Sequence, residues 1–198
     1  MALNILLLGP QGSGKGTQAG RIASDYGLPH IATGDMLREA MAAGTELGRR
    51  VKPIVDAGRL VPDELMVELI RERLQRPDTQ AGFVLDGFPR TIGQAEALDD
   101  MLAEIGRQLD VVFEIQVPEE VAVERMLKRA ETEGRTDDTP EAIRTRLDLY
   151  ARATAPVVEH YRALGKLIGI HGDRTIEAVY AEIQDALEEV RRRNEEAA

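Results

Sequence analysis

The chain has 198 residues, 43% of them hydrophobic and 30% charged, enough to bury one globular core beneath a charged surface. Its formal charge of −10 weighs against a protein that coats nucleic acid, and the lack of any cysteine excludes disulfides and thiolate-held zinc. No basic leader precedes the first apolar run and no run approaches the roughly 18 residues of a spanning helix, so a soluble, cytoplasmic protein away from membranes is expected.

Residues 3–8 open the chain as a buried strand. Directly behind it, LGPQGSGKGTQ packs four glycines, Lys15 and Thr17 into residues 8–18. A helix over 14–26 follows and stops at Gly27, and residues 30–32 make a short second strand. Residues 33–61 hold small-residue helical pieces broken by Gly44, Gly48 and Gly58, with little apolar material for a core of their own. Asp63 is expected to cap a helix through Gln75 that carries Leu65, Met66, Leu69 and Ile70 on its apolar side. Further strands are expected at 83–86, 111–117 and 167–171, and helices at 121–128, 143–151 and 176–192, with a fraying tail at 191–198. Residues 129–139, RAETEGRTDDT, are polar apart from Ala130. Strands alternating with helices predict an α/β protein, a parallel sheet covered on both faces. The stretches 33–61 and 129–139 fall outside that rhythm and read as insertions over a binding face.

The chemistry starts in the glycine-rich stretch. A flexible turn between a buried strand and a helix lets backbone N–H groups converge on a phosphate, the helix N-terminus adds positive potential, and Lys15 supplies a mobile cation. Gly9-x-x-x-x-Gly14-Lys15 matches the phosphate-loop pattern and departs from it at Gly16, where Ser or Thr is usual and Thr17 follows instead. Open parallel sheets bind ligands beyond the carboxyl ends of their strands. There, the strand at 83–86 ends in Asp86, placed as a carboxylate that holds Mg²⁺ directly or through water, and Arg90 follows at the mouth of the same crevice. In TGDMLREA, Asp35 is expected to cap a helix starting at Met36, which sets Arg38 in a first turn where only a nearby anion makes a cation welcome. Arg125, Arg129, Arg135, Arg144 and Arg146 surround the polar loop, and from spacing alone a salt-bridged helix face explains them as well as a phosphate site does. His30, His160 and His171 lack metal-ligand spacing and are read as structural. With no nucleophile–base pair in view, phosphate cradling, one metal carboxylate and many arginines fit phosphoryl transfer.

GPQGSGKGT, TGDMLR, DGFPRT followed by Gln94, and GRTDD followed by RTRL occur in the order and spacing of one family. The chain resembles the nucleoside monophosphate kinases, the adenylate kinases most closely, over essentially its whole length. The resemblance implies a P-loop fold of three layers with a five-stranded parallel sheet. It divides the chain into a core (1–32, 62–128 and 140–198), an insertion that binds the nucleoside monophosphate (33–61) and a short lid (129–139). It implies reversible transfer of the ATP γ-phosphoryl group to AMP, giving ADP, by a monomer with no nucleic-acid or membrane partner.

Residue by residue, the same resemblance sets Gly12, Ser13, Gly14, Lys15, Gly16 and Thr17 on the ATP phosphates, the Gly16-Thr17 order being normal for the family. Asp86 would organise Mg²⁺ through water, with Thr17 a second candidate ligand. Arg38 and Arg90 match clamps on the AMP phosphate, and Arg129, Arg135 and Arg146 match lid and hinge arginines that neutralise the transferring group. Arg125 and the backbone near Arg174 would lie against the ATP adenine. Thr33, Gln94, Gly87 and the backbone of Arg59, Leu60 and Val61 would form the AMP pocket, although Thr91-x-x-Gln94 also reads as a helix capping box. Only AETEG separates Arg129 from Arg135, which resembles the short-lid form without zinc. UMP/CMP kinases usually carry Ala and Asn at positions 33 and 94, and non-catalytic ATP sensors lose the phosphate-contacting arginines. The residues present here point away from both.

Overall fold

The computed structural model describes residues 2–135 and 138–196. Its five strands are β1 (Leu3–Leu8), β2 (His30–Ala32), β3 (Gly82–Asp86), β4 (Val111–Gln116) and β5 (Leu167–His171). All pair in parallel in the order β2-β3-β1-β4-β5. The register sets Leu7 beside Asp86 and Asp86 beside Ala32, so three strands end together. From adjacent β3 and β1 the chain leaves in opposite directions across the sheet, and such a reversal opens a crevice above the strand ends.

The apolar runs explain the layering. In β1, Leu6 and Leu8 face one core, joined by Ile31, Phe83, Leu85 and Val112, while Ile5 and Leu7 face another with Val84, Phe113 and Ile115. Both faces are buried, as a strand without polar alternation requires. The helices are α1 (Lys15–Tyr26), α2 (Thr33–Ala42), α3 (Glu46–Asp56), α4 (Asp63–Leu74), α5 (Ile92–Glu104), α6 (Glu119–Glu133), α7 (Pro140–Leu149), α8 (Ala155–Ala163) and α9 (Ile176–Glu196). Residues of α4, α5 and α8 cover the first core, and residues of α1 and α9 cover the second. A small cluster of Ala122, Met126 and Ile143 joins α6 to α7.

Several element boundaries differ from expectation for identifiable reasons. Asp63 does not cap α4: Pro62 holds the cap position, and the Asp63 carboxylate bonds to Thr91 and Gln94 instead. The first helix of the 33–61 stretch begins at Thr33, not Met36, so Arg38 sits past the first turn and pairs with Asp35 at 2.5 Å. Gly48 interrupts nothing; it is the third residue of α3, and its N–H donates to the capping hydroxyl of Thr45 at 3.0 Å. α6 runs past Lys128 to Glu133 because RAETE contains no breaker before Gly134, whose left-handed φ of 63° ends it. α7 starts earlier than expected, at Pro140, behind the Thr139 cap. It then passes through a π-helical turn, Tyr150–Thr154, into α8. α9 continues to Glu196 where fraying was expected from residue 191. Within the expected lid, Thr136 and Asp137 lie outside the described residues, as do Ala197 and Ala198 of the tail.

A close backbone contact joins the 33–61 stretch to α7. Gly58, beyond the end of α3, has φ +69°, and a Cβ there would lie 2.6 Å from the Ala142 carbonyl oxygen on α7. Backbone meets backbone at that point with no room for a side chain. Among the described residues no helix is long and apolar enough to cross a membrane.

Candidate active site

A cleft of about 620 Å³ lies over the carboxyl ends of β1, β2 and β3. Among the described residues that line it are nine lysines and arginines against three carboxylates, in a chain whose net charge is −10. Such a local reversal of sign focuses an anionic ligand on the cleft.

The floor is the loop between β1 and α1. Gly12 adopts φ +82°, and a Cβ on it would meet the Ala122 carbonyl oxygen at 2.3 Å, so only glycine lets the loop fold back against α6. Gly14 caps α1 in a left-handed conformation with no side-chain hydrogen bond, which leaves the first amides of α1 for a ligand. The Lys15 Nζ donates to the Pro10 carbonyl at 3.1 Å. Burial pushes the Lys15 ammonium down to about 8; Asp86 works against that shift, and Arg90, Arg129 and Arg146 add to it.

Asp86 closes β3 beside the loop. Burial would raise its pKa, but His30, Lys15 and Arg90 nearby outweigh that and hold the carboxyl below the usual carboxylate range. Its Oδ1 is buried with no hydrogen-bond partner in the structure, and so is the His30 Nε2, which lies 3.9 Å from Asp86 Oδ2. A buried orphan acceptor in a cleft that the hydroxyl-bearing Thr17 also lines offers a few hard oxygen donors and leaves the remaining positions to water and phosphate. That donor set fits Mg²⁺. No group of three or more potential metal-ligating side chains occurs among the described residues.

The arginines converge from the β3–α5 loop, from α6 and the residues just beyond it, and from α7. The Arg90 Nε donates to the Gly87 carbonyl at 2.7 Å, and the Arg90 carbonyl accepts from the Thr154 hydroxyl at 3.0 Å, tying the clamp to the π-helical turn. Arg129 from α6 and Arg146 from α7 both pair with Asp138, at 2.7 and 2.5 Å; the Asp138 side chain is fully buried. Arg135 pairs with Glu133 at 2.7 Å. The Arg125 Nη1 donates to the carbonyls of Ser13 at 3.3 Å and Gly172 at 3.0 Å, bracing the loop against the end of β5. The Thr33 hydroxyl, buried, donates to the Asp86 carbonyl at 3.3 Å.

Every residue assigned to nucleotide or Mg²⁺ in the sequence lines this cleft except Ser13 and Arg174; Gly9 of the loop pattern and Arg144 of the arginine group do not line it. Ser13 is buried behind the loop, and the Arg174 guanidinium reaches the His171 carbonyl and Glu182 on the surface. His171 itself is exposed and bonds Glu182 at 3.2 Å. Gln94 makes half of a capping box: the Thr91 hydroxyl accepts its N–H, but its side-chain oxygen takes the Arg90 N–H rather than that of Thr91.

Sequence reasoning missed His30, which it read as structural and which lines the cleft beside Asp86. It also missed Lys128 and Thr132 on the cleft wall, and Asp138, the anchor of two arginines. The signal for Asp138 was available in its motif, GRTDD, but nothing local says that one carboxylate turns inward.

A family model described as adenylate kinase matches residues 7–166. The chain is 48% identical to an adenylate kinase of Kosmotoga olearia over 94% of its own length and 99% of that protein. It is 43% identical to one of Archaeoglobus fulgidus, over 96% and 100% of the two chains. For an adenylate kinase of Caulobacter vibrioides the figures are 49% identity over 95% and 98%.

Proposed function

The chain belongs to the adenylate kinase family, and on that premise we propose how its residues divide the reversible transfer of a phosphoryl group between ATP and AMP. It is a nucleoside monophosphate kinase that makes two ADP from ATP and AMP. The observation that carries the assignment of roles is a single convergence: the glycine loop with Lys15, the orphaned Asp86, and the arginines of α6 and α7 all face one cleft.

The amides of Gly12, Gly14, Gly16 and Thr17, with Lys15, hold the ATP phosphates, and Ser13 supports the loop from behind. Arg125 and the backbone near Arg174 flank the ATP adenine, a reading supported by the Arg125 bond to Gly172. Arg38 and Arg90 clamp the AMP phosphate, while Thr33, Gly87, Gln94 and residues 59–61 shape the pocket for the rest of that nucleotide. Arg129, Arg135 and Arg146 meet the transferring group. Asp138 pairs with two of these guanidiniums, Arg129 and Arg146, and holds them at the cleft. Mg²⁺ entering with ATP would be held by Asp86 through water and by Thr17, where it balances triphosphate charge. Core residues 1–32, 62–128 and 140–198 form the frame, 33–61 the AMP-side insertion and 129–139 the lid. The protein acts in the cytoplasm as a monomer, without zinc, nucleic acid or membrane.

A coupled assay of ADP formation tests the acceptor site. A pocket built to hydrogen-bond one base edge rejects others because they leave buried polar groups unpaired. AMP is therefore expected to be preferred over CMP and UMP by at least about tenfold in kcat/KM. Equal use of a pyrimidine nucleotide would remove Thr33 and Gln94 from the base site.

Metal dependence tests the floor of the cleft. Chelation of Mg²⁺ is expected to abolish activity and its return to restore it, with elemental analysis finding no stoichiometric zinc. A bound zinc whose removal lowers the melting temperature would contradict the assignment.

A further inference from the structure

Gln94 is the third residue of α5, 2% exposed, and its side chain lines the AMP side of the cleft. A carboxamide presents a donor and an acceptor that exchange places when it turns over, so its hydrogen bonds decide what it shows a ligand. Here both partners have a fixed sense. The backbone N–H of Arg90 can only donate, and it reaches the Gln94 Oε1 at 2.8 Å. The carboxylate of Asp63 can only accept, and its Oδ1 receives the Gln94 Nε2 at 2.8 Å.

The rest of the arrangement has the same single direction. Asp63 Oδ2 accepts from the Thr91 hydroxyl at 2.7 Å. With its proton committed there, that hydroxyl accepts the backbone N–H of Gln94 at 3.2 Å. Turning the carboxamide over would set NH₂ against N–H on one side and carbonyl against carboxylate on the other. A charge-assisted contact and a neutral one would both become repulsions.

We infer that Asp63, which does not itself line the cleft, is a specificity-determining positioning residue: it locks the Gln94 carboxamide so that the acceptor site takes a 6-amino purine and refuses a 6-oxo purine. The inference rests on the reading that Gln94 faces the acceptor base. Two of the carboxamide's groups are spent on Arg90 and Asp63, leaving one N–H and one lone pair. Adenine offers an amino donor beside a ring-nitrogen acceptor. Hypoxanthine offers an oxo acceptor beside a ring N–H, the same pair with the sense reversed. A carboxamide free to turn serves both bases, and a locked one serves adenine alone.

AMP and IMP differ only in this feature, so their kcat/KM ratio reads the lock directly. Asp63→Asn keeps the shape of the side chain while letting it donate to a turned carboxamide. It is expected to shrink the AMP-to-IMP ratio about tenfold, the worth of one charge-assisted hydrogen bond, with the KM for ATP unchanged. Asp63→Ser, whose hydroxyl also serves either sense, is expected to shift the ratio in the same direction and stands in if Asp63→Asn does not fold. Gln94→Ala sets the floor by collapsing the preference altogether. Equal losses for AMP and IMP in both Asp63 variants, with the ratio intact, would show a merely structural role and overturn the lock while leaving Gln94 as the base reader. A ratio that survives Gln94→Ala would overturn the reading of Gln94 itself, and the lock with it.

Discussion

Lys15→Met is expected to lower turnover by about 10²–10³-fold while the melting temperature at neutral pH holds or rises. The loss follows from removing the lysine that the proposed assignment sets at the β- and γ-phosphates, where charge shifts during transfer. The stability follows from linkage. Burial lowers the Lys15 pKa from 10.5 to about 8, so between those values the native protein binds fewer protons than the unfolded chain. Stability of the empty enzyme therefore rises with pH across that window, and below about 8 the native state carries the full penalty of a charged, desolvated ammonium. Methionine removes the penalty and should flatten the melting temperature between pH 8 and 10.5. Asp86 loses a counter-charge in the variant but keeps His30 and Arg90 nearby. Turnover near that of the parent enzyme would end the phosphate-loop assignment.

Arg146→Ala is expected to cost about 10³-fold in turnover, the scale on which arginines aimed at a transferring phosphoryl group act. Arg135→Ala should give a comparable loss, and comparing the two separates catalysis from architecture. Arg146 shares the fully buried Asp138 with Arg129, so its removal leaves that carboxylate half-served and should also cost on the order of 1–3 kcal/mol of stability. Among the described residues Arg135 pairs with the exposed Glu133, a contact worth little, so its removal should leave melting unchanged. Arg146→Lys restores a charge but not the planar fork, and only a small part of the rate should return. The losses should fall mainly on kcat, with ATP affinity measured by calorimetry changing less. Near-normal turnover in both alanine variants would take Arg135 and Arg146 out of the chemistry.

The parts of this site that could be read from sequence are those whose chemistry is local. Gly9 to Thr17 declare themselves because the turn, the close approach and the helix start occupy consecutive residues. Asp86 is visible as the polar end of an apolar strand. For the arginines, spacing alone left a salt-bridged face and a phosphate site in balance, and the structure combines the two, because Arg129 and Arg146 hold an internal carboxylate while they line the cleft. Asp63 was misread as a helix cap because its partners, Thr91 and Gln94, stand 28 and 31 residues away. His30 carries no local mark at all; only the alignment of β2 with β3 brings it to Asp86. The π-helical turn at Tyr150–Thr154 likewise escapes a search for period 3.6, and it is where Thr154 reaches the Arg90 carbonyl.

The backbone contact between Gly58 and Ala142 bears on how the two nucleotides sense each other. On the proposed assignment the segment leaving α3 belongs to the AMP side, and α7 carries Arg146 toward the phosphoryl group. With no side chain between them to be compressed or rearranged, neither segment can advance without displacing the other. Occupancy at one end of the cleft is therefore expected to be felt at the other through this contact. Such communication would have a thermodynamic signature: any factor by which bound AMP changes the affinity for ATP is returned in full when ATP is bound first.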